Sequence, residues 1–145
     1  MNWHETLRES PMFTCPNRVD DLGLLYPPFR DKILVVLKDL KVAGFRPVVF
    51  ETYRSAARQL KLFNEGASKL KTGGMHQYGV ACDLYYANDK DVVQKPVASV
   101  PFYHTMRKKA DEIGLFYISW DWPHLQLVPP KGGTQAEIYK GNYPA

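Results

Sequence analysis

The segment HQYGVACD, residues 76–83, decides both the fold and the chemistry of this sequence. It joins a histidine at the end of a loop to an aspartate within an apolar stretch, and Gly79 permits a bend between them. Alternation along residues 79–86 predicts a strand in which Asp83 and Cys82 point to opposite faces. Burying the Asp83 carboxylate is costly unless a metal ion or a salt bridge compensates its charge. The segment therefore predicts a strand that carries a candidate metal ligand.

A second segment, DWPH at residues 121–124, sets an aspartate three residues before a histidine. The proline between them fixes the local backbone, so the carboxylate of Asp121 can lie beside a metal that His124 binds. A zinc peptidase needs three nitrogen or carboxylate ligands, an open coordination position and a nearby carboxylate that accepts a proton from water. The two segments supply such a set, in which His76 and Asp83 are the other two ligands.

The N-terminal residues contain the beginning of a different histidine motif. In HETLR, residues 4–8, the first histidine and the glutamate match the start of the zincin helix, but Arg8 occupies the position of the second histidine. We therefore expect no metal-binding role for His4.

The rest of the sequence predicts one α+β domain over residues 1–145. Apolar residues at helical spacing, with caps or glycines at the ends, predict three helices, at residues 30–43, 55–65 and 100–113. Short apolar runs predict four strands, at residues 47–50, 79–86, 115–119 and 124–128. Outside these elements we expect an irregular arm at residues 1–23, a loop at residues 69–75 and a Gly/Pro-rich tail at residues 129–145.

Composition limits the kinds of partner. The net charge of +4 comes from basic residues that are scattered along the chain, so we do not expect nucleic-acid binding. No apolar stretch is long enough to cross a bilayer, and the first residues lack the features of a secretory signal. We therefore expect synthesis in the cytoplasm and no membrane insertion. Cys15 and Cys82 are too few for a disulfide framework.

Three segments resemble motifs of a known family. Residues 74–83 are similar to the Ser-x-His-x-x-Gly-x-Ala-x-Asp signature of the zinc metallopeptidases that include D-alanyl-D-alanine carboxypeptidases and L-alanyl-D-glutamate peptidases. Residues 121–126 resemble the second motif of this family, in which an acid precedes the last zinc ligand by three positions. Residues 53–55, Tyr-Arg-Ser, are similar to its arginine segment. The three motifs occur in the family's order, which makes chance agreement improbable.

The resemblance implies a role for each residue of the candidate site. One zinc ion would be held by His76, Asp83 and His124, with Asp121 as general base and Arg54 as the group that stabilises the developing oxyanion. It also implies the DD-peptidase or hedgehog-like fold, in which a small antiparallel sheet carries the zinc site and helices pack on its other face. The implied reaction is hydrolysis of an amide bond in a peptidoglycan stem peptide.

Other residues near the motifs have both a functional and a structural interpretation. Gln59, Tyr78 and Trp122 flank the motifs and are candidates for contacts with substrate. Aromatic residues this close to a core usually only pack, and Gln59 can instead support the loop of Arg54. Arg54 itself can pair with Glu51 or cap a helix end.

The bond that is cut depends in part on Gly74, which stands where the family signature has a serine. Loss of that hydroxyl weakens the hold on a terminal carboxylate, and small family members without a signal resemble phage endolysins. We therefore favour an L-alanyl-D-glutamate endopeptidase over a D-alanyl-D-alanine carboxypeptidase, acting as a monomer on the cell wall after release. The alternatives are a peptidase for other small peptides and a non-catalytic wall-binding or structural module with a structural zinc.

Overall fold

The computed structural model describes residues 2–68 and 74–145 of the chain. The α-helices in this part are α1 (Trp3–Arg8), α2 (Pro27–Val42), α3 (Ala56–Asn64), α4 (Pro101–Ile113) and α5 (Gly133–Tyr139). The strands are β1 (Pro47–Glu51), β2 (Ala81–Ala87), β3 (Val93–Gln94), β4 (Phe116–Ile118) and β5 (Asp121–Gln126). Short 3-10 helices cover Pro11–Thr14, Leu22–Leu24 and Met75–Tyr78.

Local sequence signals set the ends of the three long helices. α2 begins at two prolines, whose missing N–H groups are not needed in a first turn, and it ends just before Gly44, which has a positive φ. α3 follows Ser55, whose hydroxyl accepts a hydrogen bond from the backbone N–H of Arg58. α4 begins at Pro101 and ends at Gly114, another residue with a positive φ. None of the described helices combines the length and apolarity that a bilayer crossing requires.

The sheet is antiparallel throughout, with the strand order β1-β2-β5-β4, and β3 pairs with the end of β2. β2 is therefore a central strand with partners on both sides. Its residue Asp83 is opposite Glu51 of β1 on one side and opposite His124 of β5 on the other. This register gathers the charged and metal-ligating side chains at the middle of the sheet.

α2 and α4 cover one face of the sheet and form the main core with it. Cys82 and Leu84 of β2 and Leu125 of β5 point into this core. Their buried helical partners include Phe29, Ile33, Val36, Leu40, Phe102, Tyr103, Met106 and Ala110. Since side chains alternate along a strand, Asp83 lies on the opposite face. The predicted α+β class, with a small antiparallel sheet and helices on the face away from the candidate site, is confirmed.

The two ends of the chain are more regular than predicted. The arm at residues 1–23 contains α1, and the tail at residues 129–145 contains α5. Such short helices are held by tertiary contacts, because the Trp3 indole N–H donates to the carbonyl oxygen of Leu24 at 3.0 Å and Ile138 is fully buried. β5 also begins earlier than predicted, at Asp121. Of the predicted loop at residues 69–75, residues 69–73 lie outside the described part.

Gly79 forms the predicted bend between the last 3-10 helix and β2. Its φ is +71°, which favours glycine, and a Cβ built there would lie 2.7 Å from the carbonyl oxygen of Leu24. The same Cβ would lie 2.8 Å from the indole nitrogen of Trp3. The bend therefore docks against the N-terminal segment, and it fixes the position of His76 relative to β2.

Candidate metal centre

The three side chains predicted as ligands meet on the sheet face opposite α2 and α4. Asp83 and His124 are cross-strand partners, and His76 lies in the 3-10 helix just before β2. Oδ1 of Asp83 lies 3.3 Å from Nε2 of His76 and 3.1 Å from Nδ1 of His124. One ligand atom of each residue lies within 4.8 Å of the other two.

The outer hydrogen bonds of the two histidines orient their inner nitrogens. Nδ1 of His76 donates to the carbonyl oxygen of Thr52 at 2.7 Å, because a carbonyl oxygen can only accept. Nε2 of His124 donates to Oε1 of Gln126 at 2.8 Å, and the amide nitrogen of Gln126 donates to the carbonyl oxygen of Val128. When the rings are neutral, Nε2 of His76 and Nδ1 of His124 therefore carry lone pairs, and both lone pairs face Asp83. Hydrogen-bond partners behind metal-binding histidines commonly fix the ring in this way.

This donor set fits a zinc ion. Two imidazole nitrogens and one carboxylate oxygen are typical ligands of a catalytic zinc, which keeps a fourth position open. In a tetrahedral site with bonds of ~2.0–2.2 Å, neighbouring ligand atoms lie roughly 3.3 Å apart. The distances from Asp83 to His76 and His124 are of this size.

The electrostatics of the cluster also favour a positive charge at its centre. Burial opposes ionisation of Asp83, but the charge of His76 and the hydrogen bonds with His124 and His76 outweigh it and hold the carboxyl pKa well below its usual range. Burial likewise lowers the pKa of His124, whereas the hydrogen bond and charge of Asp83 and the charge of Asp121 raise it above the ordinary value overall. The carboxylates of Asp83 and Asp121 thus stabilise a positive charge at this place, either as a protonated His124 or as a bound cation.

Asp121 lies beside the triad without belonging to it. Its Oδ2 is 3.9 Å from Nδ1 of His124, and a third of its side chain, 33%, is exposed. Residues three apart on a regular strand face opposite sides, but the register between β4 and β5 shifts between the pairs Phe116–Gln126 and Ile118–Asp121. This irregularity brings Asp121 to the metal side. Burial, and then the charge of Asp83, raise the pKa of Asp121 above its ordinary value.

Arg54 lies near Oδ2 of Asp83, whereas both histidines approach Oδ1. Its Nη2 is 2.8 Å from Oε1 of Glu51 and 3.7 Å from Oδ2 of Asp83, and its Nη1 donates to Oε1 of Gln59 at 3.1 Å. Arg54 thus pairs with Glu51, which was one interpretation of the sequence, and it also lies next to the triad. Gln59 supports Arg54 from the start of α3.

The triad opens into a cleft with a volume of about 710 Å³. Arg54, Asp121 and Gln59 line it, as does Gly74, whose position offers no side chain to a ligand. A cleft of this size accepts a short peptide. The arrangement therefore combines a metal site, a neighbouring carboxylate and room for an amide substrate.

No protein-family model matches the chain. The chain is similar to several solved structures, of which two are described. The L-Ala D-Glu endopeptidase ChiX of Serratia marcescens has 23% sequence identity and a TM-score of 0.58, over 84% of this chain and 95% of that chain. The LdcB LD-carboxypeptidase has 16% identity and a TM-score of 0.59, over 82% of this chain and 65% of that chain. This chain has the fold of these two peptidases. The resemblance that the motifs indicated is confirmed at the level of the fold.

Two of the three predicted substrate contacts lie away from the cleft. Gln59 lines the cleft, whereas Tyr78 stacks on the His4 ring at 4.8 Å and lines a separate cavity of about 210 Å³. Trp122 packs under Arg107, whose guanidinium carbon is 3.6 Å from the centre of the ring. Both side chains make packing contacts and neither lines the cleft, and their contact with substrate stays a prediction.

The sequence analysis gave no role to several residues that complete the site. Gln126 stands two residues after His124, and that spacing, which puts both side chains on one strand face, was the available signal. Arg58 lines the cleft, but nothing in the sequence around it marks it as part of the site. Trp120 flanks the second motif as Trp122 does, and of these two tryptophans it is Trp120, 66% exposed, that lines the cleft.

Proposed function

We propose that the protein is a zinc-dependent peptidase that hydrolyses an amide bond in peptidoglycan stem peptides, with the L-alanyl-D-glutamate bond as its target. The observation that carries this proposal is the convergence of His76, Asp83 and His124 next to Asp121 at an open cleft. The fold shared with an L-Ala D-Glu endopeptidase and an LD-carboxypeptidase supports it.

The chemistry follows from the positions of the side chains. A zinc ion held by His76, Asp83 and His124 would act as a Lewis acid toward the substrate carbonyl and would favour ionisation of a water molecule. Asp121 accepts the proton of the attacking water and returns it to the leaving amine, because its carboxylate lies next to the ligands and outside their set. Arg54 lines the same cleft, and its fixed positive charge would stabilise the negative charge that builds up on the substrate oxygen.

Two observations favour an endopeptidase over a D-alanyl-D-alanine carboxypeptidase. Gly74 lines the cleft and offers no hydroxyl to a terminal carboxylate. ChiX, whose length is almost fully matched, is an L-Ala D-Glu endopeptidase. The position of Asp121 also argues against a module with a purely structural zinc, because such a site has no need of a base.

The test combines metal analysis with digestion of defined stem peptides. We expect about one zinc per chain, and mass spectrometry should detect products with a new amino terminus at D-glutamate. Replacing Asp121 with Asn should leave the zinc content unchanged and lower the rate of hydrolysis about 10²- to 10⁴-fold, because proton transfer is lost.

The matched control is Asp31→Asn, which removes an exposed carboxylate on α2, away from the cleft. It should hydrolyse the peptides at the unchanged rate. Release of D-alanine alone would point to the carboxypeptidase, and full activity of the Asp121→Asn protein would refute the assigned base.

A further inference from the structure

A buried carboxylate organises the wall of the cleft next to Arg54. Glu51 is only 2% exposed, and each of its oxygens binds a different arginine. Oε1 lies 2.8 Å from Nη2 of Arg54, and Oε2 lies 3.1 Å from Nε of Arg58. The two arginine side chains are themselves largely buried, with 14% and 15% exposed. We call Glu51, Arg54 and Arg58 the arginine cluster.

The two arginines of this cluster differ in how many of their guanidinium nitrogens bind other protein groups. Both terminal nitrogens of Arg54 have partners, in Glu51 and Gln59, and Asp83 lies nearby. Arg58 binds Glu51 through Nε alone. Within residues 2–68 and 74–145, its terminal nitrogens have no protein partner, and the residue lines the cleft.

Glu51 faces two guanidinium groups, but it does not have Arg54 to itself, because Arg54 also lies 3.7 Å from Asp83. Arg58 uses only Nε for Glu51, so among the described residues the two terminal nitrogens of its guanidinium group remain available for a further anion. A largely buried cation whose donors face a cleft is a site for an anion, because the terminal nitrogens of a guanidinium match the two oxygens of a carboxylate.

We propose that Arg58, held in place by Glu51, binds a free carboxylate of the substrate peptide and makes the enzyme selective for substrates that carry it. This inference rests on the proposed function, since it assigns the group that recognises the substrate of the same cleft. Glu51 acts as a positioning residue, because it fixes Nε and so presents the opposite edge of the guanidinium to the cleft.

Two sources of the carboxylate have the same chemistry. A D-glutamate residue brings a carboxylate that is not part of the scissile amide, and the end of a peptide brings a terminal carboxylate. The first source belongs to an endopeptidase and the second to a carboxypeptidase. Each can be removed separately, by using D-isoglutamine in place of D-glutamate or a carboxamide in place of the terminal carboxylate.

The experiment compares these peptide pairs with the wild-type protein and with Arg58→Gln. The wild type should prefer the carboxylate peptide over its amide by about 10- to 100-fold in kcat/KM, the range expected for a hydrogen-bonded charge pair. Arg58→Gln should lose this preference, because the carboxylate peptide should slow by far more than the amide peptide does. A merely structural role would slow both peptides equally.

Matched variants separate recognition from net charge and from folding. Arg18→Gln removes an exposed arginine that lies over the Phe50 ring, outside the lining of the cleft, and it should keep the full preference. Arg58→Lys keeps the positive charge but lacks the planar pair of donors, so it should fold normally and show an intermediate preference.

Binding of the same peptides, measured by calorimetry in the Asp121→Asn background, tests the inference without turnover. If the wild type hydrolyses no stem peptide but binds the carboxylate form selectively through Arg58, the proposed function fails and the carboxylate site stands. Equal binding of acid and amide peptides by the Asp121→Asn protein, in which Arg58 is intact, would overturn the site. An unchanged preference in Arg58→Gln would overturn it as well.

Discussion

Each histidine of the triad has an oxygen acceptor behind it, and this determines which nitrogen can bind a metal. For His76 the acceptor is the backbone carbonyl of Thr52, which no side-chain substitution can remove. For His124 it is the side chain of Gln126, which is itself fixed by its bond to the carbonyl oxygen of Val128. The orientation of His124 therefore depends on one replaceable residue.

Replacing Gln126 with Leu should weaken zinc binding about 10- to 100-fold, because the proton on Nε2 of His124 loses its acceptor. Replacing it with Glu keeps an acceptor oxygen for Nε2 but loses the donor to the Val128 carbonyl oxygen, so its affinity should lie between those of Gln126→Leu and the wild type. Competition with a chromogenic chelator measures the affinity of each variant. Gln94→Leu, which changes a glutamine at the distant strand β3, is the control and should bind zinc normally. Equal affinities of Gln126→Leu and wild type would show that His124 needs no partner.

At the scale of secondary structure, the turn before β2 positions one ligand relative to the other two. His76 precedes Gly79 in a single 3-10 helix, and β2 follows directly. Gly79 also accommodates the Leu24 carbonyl group, which accepts the hydrogen bond from Trp3. The turn that carries His76 therefore packs closely against the N-terminal segment at Gly79.

Replacing Gly79 with Ala should lower the free energy of unfolding by about 2–5 kcal/mol, because a positive φ is strained for alanine and its Cβ would clash with a backbone oxygen. Gly66 is the matched control, since its φ of +76° is similar and no atom of the described residues lies within 4 Å of an added Cβ. Gly66→Ala should cost only about 1–2 kcal/mol from the backbone conformation. Urea unfolding measures both variants, and equal losses would contradict the importance of the close approach.

The sequence predicted those elements whose signal is local. Alternation along β2 separated Asp83 from the core residue Cys82, and the caps of α3 and α4 were visible as Ser55 and Gly114. α1 and α5 were not predicted, because helices this short depend on contacts with residues far away in the sequence. The irregular pairing of β5 was equally hidden, so the sequence could not decide whether Trp122 lines the cleft or packs; in the structure its ring packs against His104 of α4.

The same distinction holds for the candidate site. Motif spacing predicted His76, Asp83, His124 and Asp121 as one site, and the structure brings these four side chains together. The position proposed for Arg58 depends on the register that sets Glu51 of β1 next to β2, and no residue pattern within α3 reveals it. Sequence thus indicated the candidate reacting groups, whereas the groups proposed to orient or recognise needed the structure.

At the scale of the whole molecule, the metal centre connects parts of the chain that lie far apart in the sequence. His76 and Asp83 come from the segment around β2, whereas His124 comes from β5, after the intervening β3, α4 and β4. An ion bound to all three would join the two central strands on the face that the α2–α4 core does not cover. Unfolding must separate these ligands, so bound metal stabilises the folded state.

Removal of the metal should therefore lower the melting temperature of the entire domain. At a zinc concentration of about 1,000 times Kd, binding contributes about 4 kcal/mol. In a chain of 145 residues this corresponds to a shift on the order of 10 °C. Thermal unfolding with and without a chelator measures the shift. His124→Ala lacks one ligand, so its melting temperature should hardly respond to the chelator. A wild-type protein as insensitive as this variant would show that the triad binds no metal in solution.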